Sequence, residues 1–299
     1  MAETLNLVNP DDVLSCKYEI SRFPDGQQTI RILEHNYTTY LSLRRQNESI
    51  TIKSRLNDFR DLELIICANQ ALKEIGIKSV KLFIPYCIGG RSDRKFQEGG
   101  VNYIKTVIAP IINSQNFDEV RVMDPHSDVL EACINNFVKL NNHSLVKFGL
   151  TNIDNKNGAQ NRICLVSPDA GAFKKIFDVA QMFSIKNILT ATKVRDIESG
   201  KIIRTEVPNL NVTDIDHEFK YVIVDDICDG GRTFIELAKV IKQRRPNTEI
   251  YLIVTHGIFS AGLSELKNYF KTIYTTNSVK DIDNQQIVGD LQVKQLNLF

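Results

Sequence analysis

Residues 221–233 read YVIVDDICDGGRT, and the fold turns on this stretch. Val222, Ile223 and Val224 form a short apolar run, rich in β-branched residues, of the kind that fills a strand covered on both faces. Asp225 and Asp226 follow at its C-terminal end. Asp229, Gly230, Gly231, Arg232 and Thr233 come next, and then Phe234, Ile235, Leu237, Ala238, Val240 and Ile241 at helical spacing. Strand, glycine turn and helix in that order aim backbone N–H groups at a phosphate. Adjacent carboxylates suit a sugar diol or a Mg²⁺, because both want hard oxygen acceptors. The ordinary alternative is a βα turn with two solvated acids, and a lone Asp-Asp or Gly-Gly would be read that way. The combination of strand, diacid, glycine turn and hydroxyl favours the site.

The flanking sequence repeats the same alternation. Upstream, residues 163–166 read as a strand, 172–182 as a helix, and 188–192 with 202–207 as a ribbon. Downstream, residues 252–254 and 272–274 close a sheet. The first half follows the same plan, with strands at 29–33, 49–52, 80–85 and 120–123 and helices at 56–75, 101–112 and 129–137. Pro110 is expected to kink or shorten the second of these helices, and Ser127 to cap the third. The polar stretch 141–161 reads as the interdomain crossover. Alternating strands and helices argue for an α/β protein of two similar domains, each a mainly parallel sheet flanked by helices. Ligand sites in such sheets lie beyond the C-terminal ends of the strands. Asp124 with His126, Asp169, Asp225 with Asp226, and Thr255 with His256 all fall there. Thr255 and His256 divide evenly between site and packing, whereas His35, His143 and His217 read as surface residues.

The chain of 299 residues is long enough for two buried cores. Basic and acidic residues balance at 37 and 36, so no nucleic-acid or membrane field is implied. Cys16, Cys67, Cys87, Cys133, Cys164 and Cys228 show no CxxC or metal spacing, which fits reduced thiols in a cytoplasmic protein. No apolar run reaches membrane-spanning length, and no basic-then-apolar leader opens the chain.

Five further segments narrow the reading: FPDGQ at 23–27, IPYCIGGRSDRKF at 84–96, MDPHSD at 123–128, SPDAGAFKK at 167–175 and THGIFSAG at 255–262. Together with the diacid stretch they resemble the ribose-phosphate diphosphokinases, also called phosphoribosyl pyrophosphate synthetases, over residues 23–279. The resemblance implies two phosphoribosyltransferase-type domains. Residues 1–145 would carry ATP-binding and oligomerisation elements; residues 146–299 would carry the sugar-phosphate motif and a catalytic flap, with the last residues packing back on the first domain. It implies Mg²⁺ as cofactor, ATP as co-substrate, a 5-phosphorylated ribose as acceptor, and a homo-oligomer from dimer to hexamer. By resemblance, adenine stacks on Phe23 of a neighbouring subunit, with Asp25 and Gln27 beside it and Arg91 and Lys95 on the nucleotide. His126 and Asp169 serve metal and polyphosphate. Asp225 and Asp226 hold the ribose diol, and Asp229, Gly230, Gly231, Arg232 and Thr233 hold the 5-phosphate end. Lys193 and Arg195, two apart on one strand face, form the family's K-x-R pair on a flap that supplies positive charge to the reacting phosphates.

The departures from the family are informative. Gln27 replaces a glutamate and Ser92 a glutamine, and residues 96–100 lack the Lys-Ser-Arg of the phosphate-regulated bacterial enzymes. The usual first strand and glycine segment is not recognisable. Gly230 stands where the family has threonine and Arg232 where it has glycine, which opens space beside the 5-phosphate and adds a charge suited to a second phosphate. Ribose 5-phosphate is the default acceptor. ADP-ribose is the contender, and its product would be an ADP-ribose pyrophosphate for NAD salvage. A phosphoribosyltransferase would share the diacid motif without needing the Phe23, Arg91 and His126 set. A silent synthetase-associated subunit would tend to carry a damaged flap, whereas Lys193 and Arg195 are both present.

Overall fold

The computed structural model describes residues 3–33, 49–153, 162–195, 202–211, 219–283 and 289–299; His35 and His217 lie outside them. The chain divides into two compact units, Met1–Asn141 with Leu298–Phe299, and Asn142–Asn297. The division falls at 141/142, against the 145/146 read from sequence. No helix among the described residues is long and apolar enough to cross a membrane, and none of the six cysteines forms a disulfide.

The first unit opens with β1 (Glu3–Asn6), a strand the sequence reading missed, and the hairpin of β2 (Tyr18–Arg22) and β3 (Gln28–Ile32). There follow β4 (Ser49–Lys53), α1 (Phe59–Glu74), β5 (Ser79–Phe83), α2 (Ala109–Ser114), β6 (Glu119–Met123), α3 (Val129–Cys133) and β7 (Phe137–Leu140). Its sheet, β1-β4-β5-β6-β7, is parallel throughout and runs in chain order. Asp58 starts α1 by accepting from the N–H groups of Arg60 at 2.8 Å and Asp61 at 3.0 Å, which satisfies two of the helix's unpaired donors.

Two expectations need correction here. Residues 101–112 do not form one regular helix: a π turn, Ile104–Ile108, precedes α2. Pro110 has no N–H, and its ring crowds the carbonyl four residues back, so the turn ahead of it widens. The helix expected over 129–137 ends at Cys133. Asn136 adopts a left-handed φ of 54° and its amide donates to Phe117 O at 2.9 Å, which releases Phe137 into β7 beside Val120.

The second unit opens with another correction. The expected polar linker contains α4 (His143–Ile153), which buries Leu145, Val146, Leu150 and Ile153 beneath a surface of Asn and Lys. Then come β8 (Ile163–Ser167), α5 (Phe173–Met182), β9 (Asn187–Thr190), β10 (Thr192–Arg195), β11 (Ile202–Glu206), β12 (Lys220–Cys228), α6 (Arg232–Arg244), β13 (Ile250–Gly257), β14 (Thr272–Thr276) and β15 (Gln292–Leu296), the last not foreseen. β10 and β11 form a separate antiparallel ribbon. The main sheet, in order β15-β14-β13-β12-β8-β9, is parallel. The chain goes from β8 outward to β9 and then returns to the other side of β8 for β12. That reversal is a topological switch point, where open α/β sheets leave a crevice at their C-terminal edge.

β12 is the centre of this unit. Tyr221 and Ile223 pack among Phe234, Leu237 and Ile241, while Val222 and Val224 face Leu145, Ile176 and Val179. The period-two alternation therefore divides between two apolar layers. Ile223→Ala, at a fully buried position, is expected to cost about 2–5 kcal/mol of unfolding free energy; a urea midpoint unchanged from wild type would contradict the placement.

Candidate functional site

β8 accompanies β12 only as far as the Ile223–Val166 pair, whereas β13 runs beside it to Cys228–Gly257. The diacid does not follow the strand, as the sequence suggested; it lies within it, on the stretch with one open edge. By alternation Asp226 shares a face with Val224 and Asp225 with Ile223. Asp226 is 6% exposed, and Lys175 Nζ on α5 approaches its Oδ1 at 3.8 Å. The Asp226 N–H donates to Asp225 Oδ1 at 2.9 Å. Burial, reinforced by the Asp226 charge, pushes the Asp225 carboxyl well above the ordinary carboxylate range, with the Lys175 ammonium acting in the opposite direction.

Beyond Cys228 the chain turns through Asp229 and Gly230 to Gly231, the residue before α6. Gly231 is left-handed at φ 78°, which favours glycine, and an added Cβ would also press on the Leu266 side chain at 3.1 Å. Gly230 is different: an added Cβ would find only Ser260 Oγ, at 3.9 Å. The turn is held from the β13 side, where Ile258 and Phe259 both donate to Cys228 O, at 2.9 and 3.1 Å, and Ser260 Oγ donates to Asp229 Oδ1 at 2.5 Å. Arg232 and Thr233 open α6, whose N-terminal N–H groups face the end of the turn as an anion site requires. Arg232 is exposed.

Asp169 follows β8. Its Oδ1 accepts from Ala172 N–H at 3.1 Å, and its carbonyl accepts from Ser167 Oγ at 2.7 Å, so it shapes the entry to α5. Lys193 and Arg195 lie on β10 by their backbone, with Lys193 opposite Thr205 and a register shift between Val194 and Arg195; their side chains lie outside the described residues. His256 is buried, with Nδ1 at 2.9 Å from Ser278 Oγ, and Thr255 O accepts from Thr276 Oγ1 at 2.6 Å. Both residues are buried.

In the first unit, Phe23 to Gln27 form the tip of the β2–β3 hairpin, closed by Phe23 N–H on Gln27 O at 2.9 Å. Asp25 Oδ1 accepts from Gln27 N–H at 3.1 Å, and Phe23 is 49% exposed. Gln28 fixes the hairpin to α1 by donating to Arg60 O at 2.9 Å and Glu63 Oε2 at 3.1 Å. After β5 the chain turns at Gly89, where φ is 75° and a Cβ would collide with the Tyr103 ring at 2.3 Å. Arg91 and Lys95 are exposed beyond this turn. Asp93, which the sequence reading passed over, is buried between them. Burial alone would raise its carboxyl, yet the Ser127 hydroxyl, the Arg94 guanidinium at 3.1 Å and the His126 ring together hold it below the ordinary value. Asp93 thus ties the Arg91–Lys95 loop to the loop bearing exposed His126. Ser127 Oγ also lies 3.4 Å from Val129 N–H, a weak form of the expected cap.

No three His, Cys, Asp or Glu residues converge as a metal cage among the described residues. A Mg²⁺ that arrives on polyphosphate needs only one or two protein oxygens, and the Asp169 carboxylate is a donor of that type.

No protein-family model matches the sequence. The chain is 28% identical over 280 residues to the ribose-phosphate pyrophosphokinase of Pyrococcus abyssi, covering 92% of this chain and 89% of that protein. It is 26% identical over 269 residues to the Pyrococcus furiosus enzyme of the same name, covering 87% and 85%. The counterpart from Fusobacterium nucleatum is 26% identical over 282 residues, covering 91% and 83%. Among solved structures, phosphoribosylpyrophosphate synthetase from Mycobacterium smegmatis superposes with a TM-score of 0.76 at 15% identity, over 98% of this chain and 94% of that one. The architecture of two phosphoribosyltransferase-type domains is thereby shared.

The raised Asp225 carboxyl has a stability consequence. The folded protein holds this proton more tightly than the unfolded chain does. Stability therefore falls as pH rises from the ordinary value of 3.8 towards the folded one, and the cost is fully present above it. Asp225→Asn keeps the acceptor for Asp226 N–H and removes the charge. Its melting temperature should exceed wild type at neutral pH, with the advantage vanishing in acid below 3.8; equal melting at neutral pH would contradict the assigned cause.

Proposed function

We propose that this chain, a divergent homologue of the ribose-phosphate pyrophosphokinases, transfers the pyrophosphoryl group of ATP to the anomeric hydroxyl of a 5-phosphorylated ribose. The observation that carries the reading is the open edge of β12 at a switch point, where one short stretch from Asp225 to Arg232 holds a carboxylate pair and a glycine-opened helix N-terminus. The anomeric oxygen bonds to the β-phosphorus, the bond from that phosphorus to the α,β-bridging oxygen breaks, the hydroxyl proton leaves, and AMP departs. Asp225 and Asp226 receive the ribose hydroxyls, and Asp229 to Thr233 receive the 5-phosphate. Lys193 and Arg195 stabilise the charge that develops on the transferred group.

In the first unit, Phe23 stacks adenine from a neighbouring copy, with Asp25 and Gln27 at its edge; the half-exposed ring at a hairpin tip suits that role. Activity then requires a homo-oligomer. Arg91, Lys95 and His126 attend the nucleotide phosphates. Asp169 is the residue of the second unit that would hold Mg²⁺, which would supply neutralisation of polyphosphate charge.

ADP-ribose as acceptor is favoured by a separate observation. Arg232 is exposed and makes no hydrogen bond or ion pair among the described residues, while Glu236, its helical neighbour, is engaged by Lys239 at 2.9 Å. The space around Gly230 is open. An acceptor whose 5-phosphate carries a further phosphate and nucleoside would use both features.

Release of AMP from ATP, Mg²⁺ and each acceptor tests the reaction. Lys193→Ala and Arg195→Ala should each lower kcat by about 100- to 1,000-fold, equivalent to about 3–4 kcal/mol for a donor aimed at developing charge, with ATP binding nearly intact. Near-wild-type turnover in both would remove the flap from the mechanism. Arg232→Gly should lower kcat/KM for ADP-ribose relative to ribose 5-phosphate by about one to two powers of ten, the worth of a charge-assisted hydrogen bond. An unchanged ratio would leave ribose 5-phosphate as the acceptor.

A further inference from the structure

Lys175, whose ammonium lies 3.8 Å from the Asp226 carboxylate, has no role in the reaction described above. It is the third residue of α5, after Phe173 and Lys174, in a first turn that holds no acid. Helix N-termini carry partial positive charge and disfavour cations, so both lysines stand against the local field. Lys174 is exposed and can be solvated. The Lys175 side chain is only 29% exposed, and it reaches down to a carboxylate whose side chain is 9% exposed. A position that opposes its own helix needs compensation elsewhere, and the compensation here is Asp226.

Three observations shape what this pair does. Asp226 lies on the β12 face that packs against α5, the same face as Val224, so Lys175 is the cation placed to meet it. Its N–O separation of 3.8 Å is an ion-pair distance, longer than a formed hydrogen bond. The lysine stem is flexible, with an ammonium that can be re-aimed. In addition, two carboxylates on consecutive residues of a buried strand would repel if both were charged, and a nearby cation is what allows the second to ionise.

We propose that Lys175 is a positioning residue of the acceptor site, holding Asp226 ionised and oriented along the crevice until the hydroxyls of a ribose phosphate displace the ammonium. The inference rests on the assignment of Asp225 and Asp226 to the sugar diol. Until those hydroxyls arrive, Lys175 stands in for them as the partner of Asp226. On binding, the carboxylate passes to the sugar, and the released ammonium stays within reach of the acceptor's anionic groups. Lys175 contacts no reacting atom in this account, so its loss should weaken acceptor capture and leave the chemical step largely intact.

Calorimetric titration of ribose 5-phosphate, and separately of ADP-ribose, into the full chain without ATP gives a readout independent of turnover. Lys175→Met should weaken binding of the preferred sugar phosphate about tenfold and raise its KM by a similar factor, leaving the KM for ATP unchanged and kcat within about twofold. Lys175→Arg keeps the charge and should recover most of that loss. If Lys175→Met binds sugar phosphate as wild type does and only melts at lower temperature, the pair is a structural ion pair and the proposal falls. Equal losses in the Met and Arg variants would also overturn it, because charge would then not be what matters. A wild-type protein that binds the sugar phosphate but releases no AMP would overturn the proposed reaction and leave Lys175's role standing; one that binds neither sugar phosphate would overturn both.

Discussion

The site depends on a difference in length between two neighbouring strands. β8 stops pairing at Val166, while β12 continues beside β13 as far as Cys228. Over the last residues of β12, the middle of the sheet therefore has an edge. Backbone groups on such an edge need a partner other than the missing strand, and part of the answer is local, since Asp225's own carboxylate takes the Asp226 N–H. The arrangement places two carboxylates where strand burial is incomplete but still considerable. An isolated buried charge would be costly; here the cost is moderated by one largely buried lysine and by a proton held on Asp225 above the ordinary range.

The duplication of the α/β plan does not duplicate this feature. In the first unit the described strands succeed one another across the sheet in a single direction, so among the described residues the strand order has no reversal. Its functional candidates are instead on loops tied together by side chains. Asp93 is buried between the loop after β5 and the loop after β6, accepting from Ser127 and Arg94. A carboxylate satisfied from both sides fixes the spacing of two loops that carry otherwise exposed residues, among them Arg91, Lys95 and His126. One unit thus builds its site from strand topology, the other from a buried polar anchor.

How far this was legible in the sequence follows from the same physics. The strand–diacid–glycine–helix stretch could be read because every part of it is local: β-branched residues fill the strand, Gly231 answers a left-handed φ, and apolar residues recur along α6. β7 could not be read, because Asn136's left-handed turn and its bond to Phe117 are what end the helix early. α4 was obscured by composition: its apolar residues sit among Asn and Lys, and only packing reveals them as a buried face. Asp93 and Lys175 were both inside quoted motifs, yet neither declared itself, since Ser127 and Asp226, which they meet across the fold, are distant in sequence. One trace was available for Lys175, namely two lysines in the first turn of a helix, a turn that holds no acid.

Gly230 and Gly231 look equivalent in the sequence and are not. Gly231 is fixed by backbone sterics, with a positive φ and the Leu266 side chain against the missing Cβ. Gly230 has neither constraint: the nearest atom to an added Cβ is Ser260 Oγ, at ordinary contact distance, so the fold would accept a side chain there. Folding therefore does not explain its glycine. Arg232, two residues on, is likewise not needed for the helix, because its side chain is exposed and Glu236 has Lys239 for a partner. An open position and an exposed guanidinium at the mouth of one turn, neither required by the scaffold, are the two features on which the proposed larger and more anionic acceptor rests.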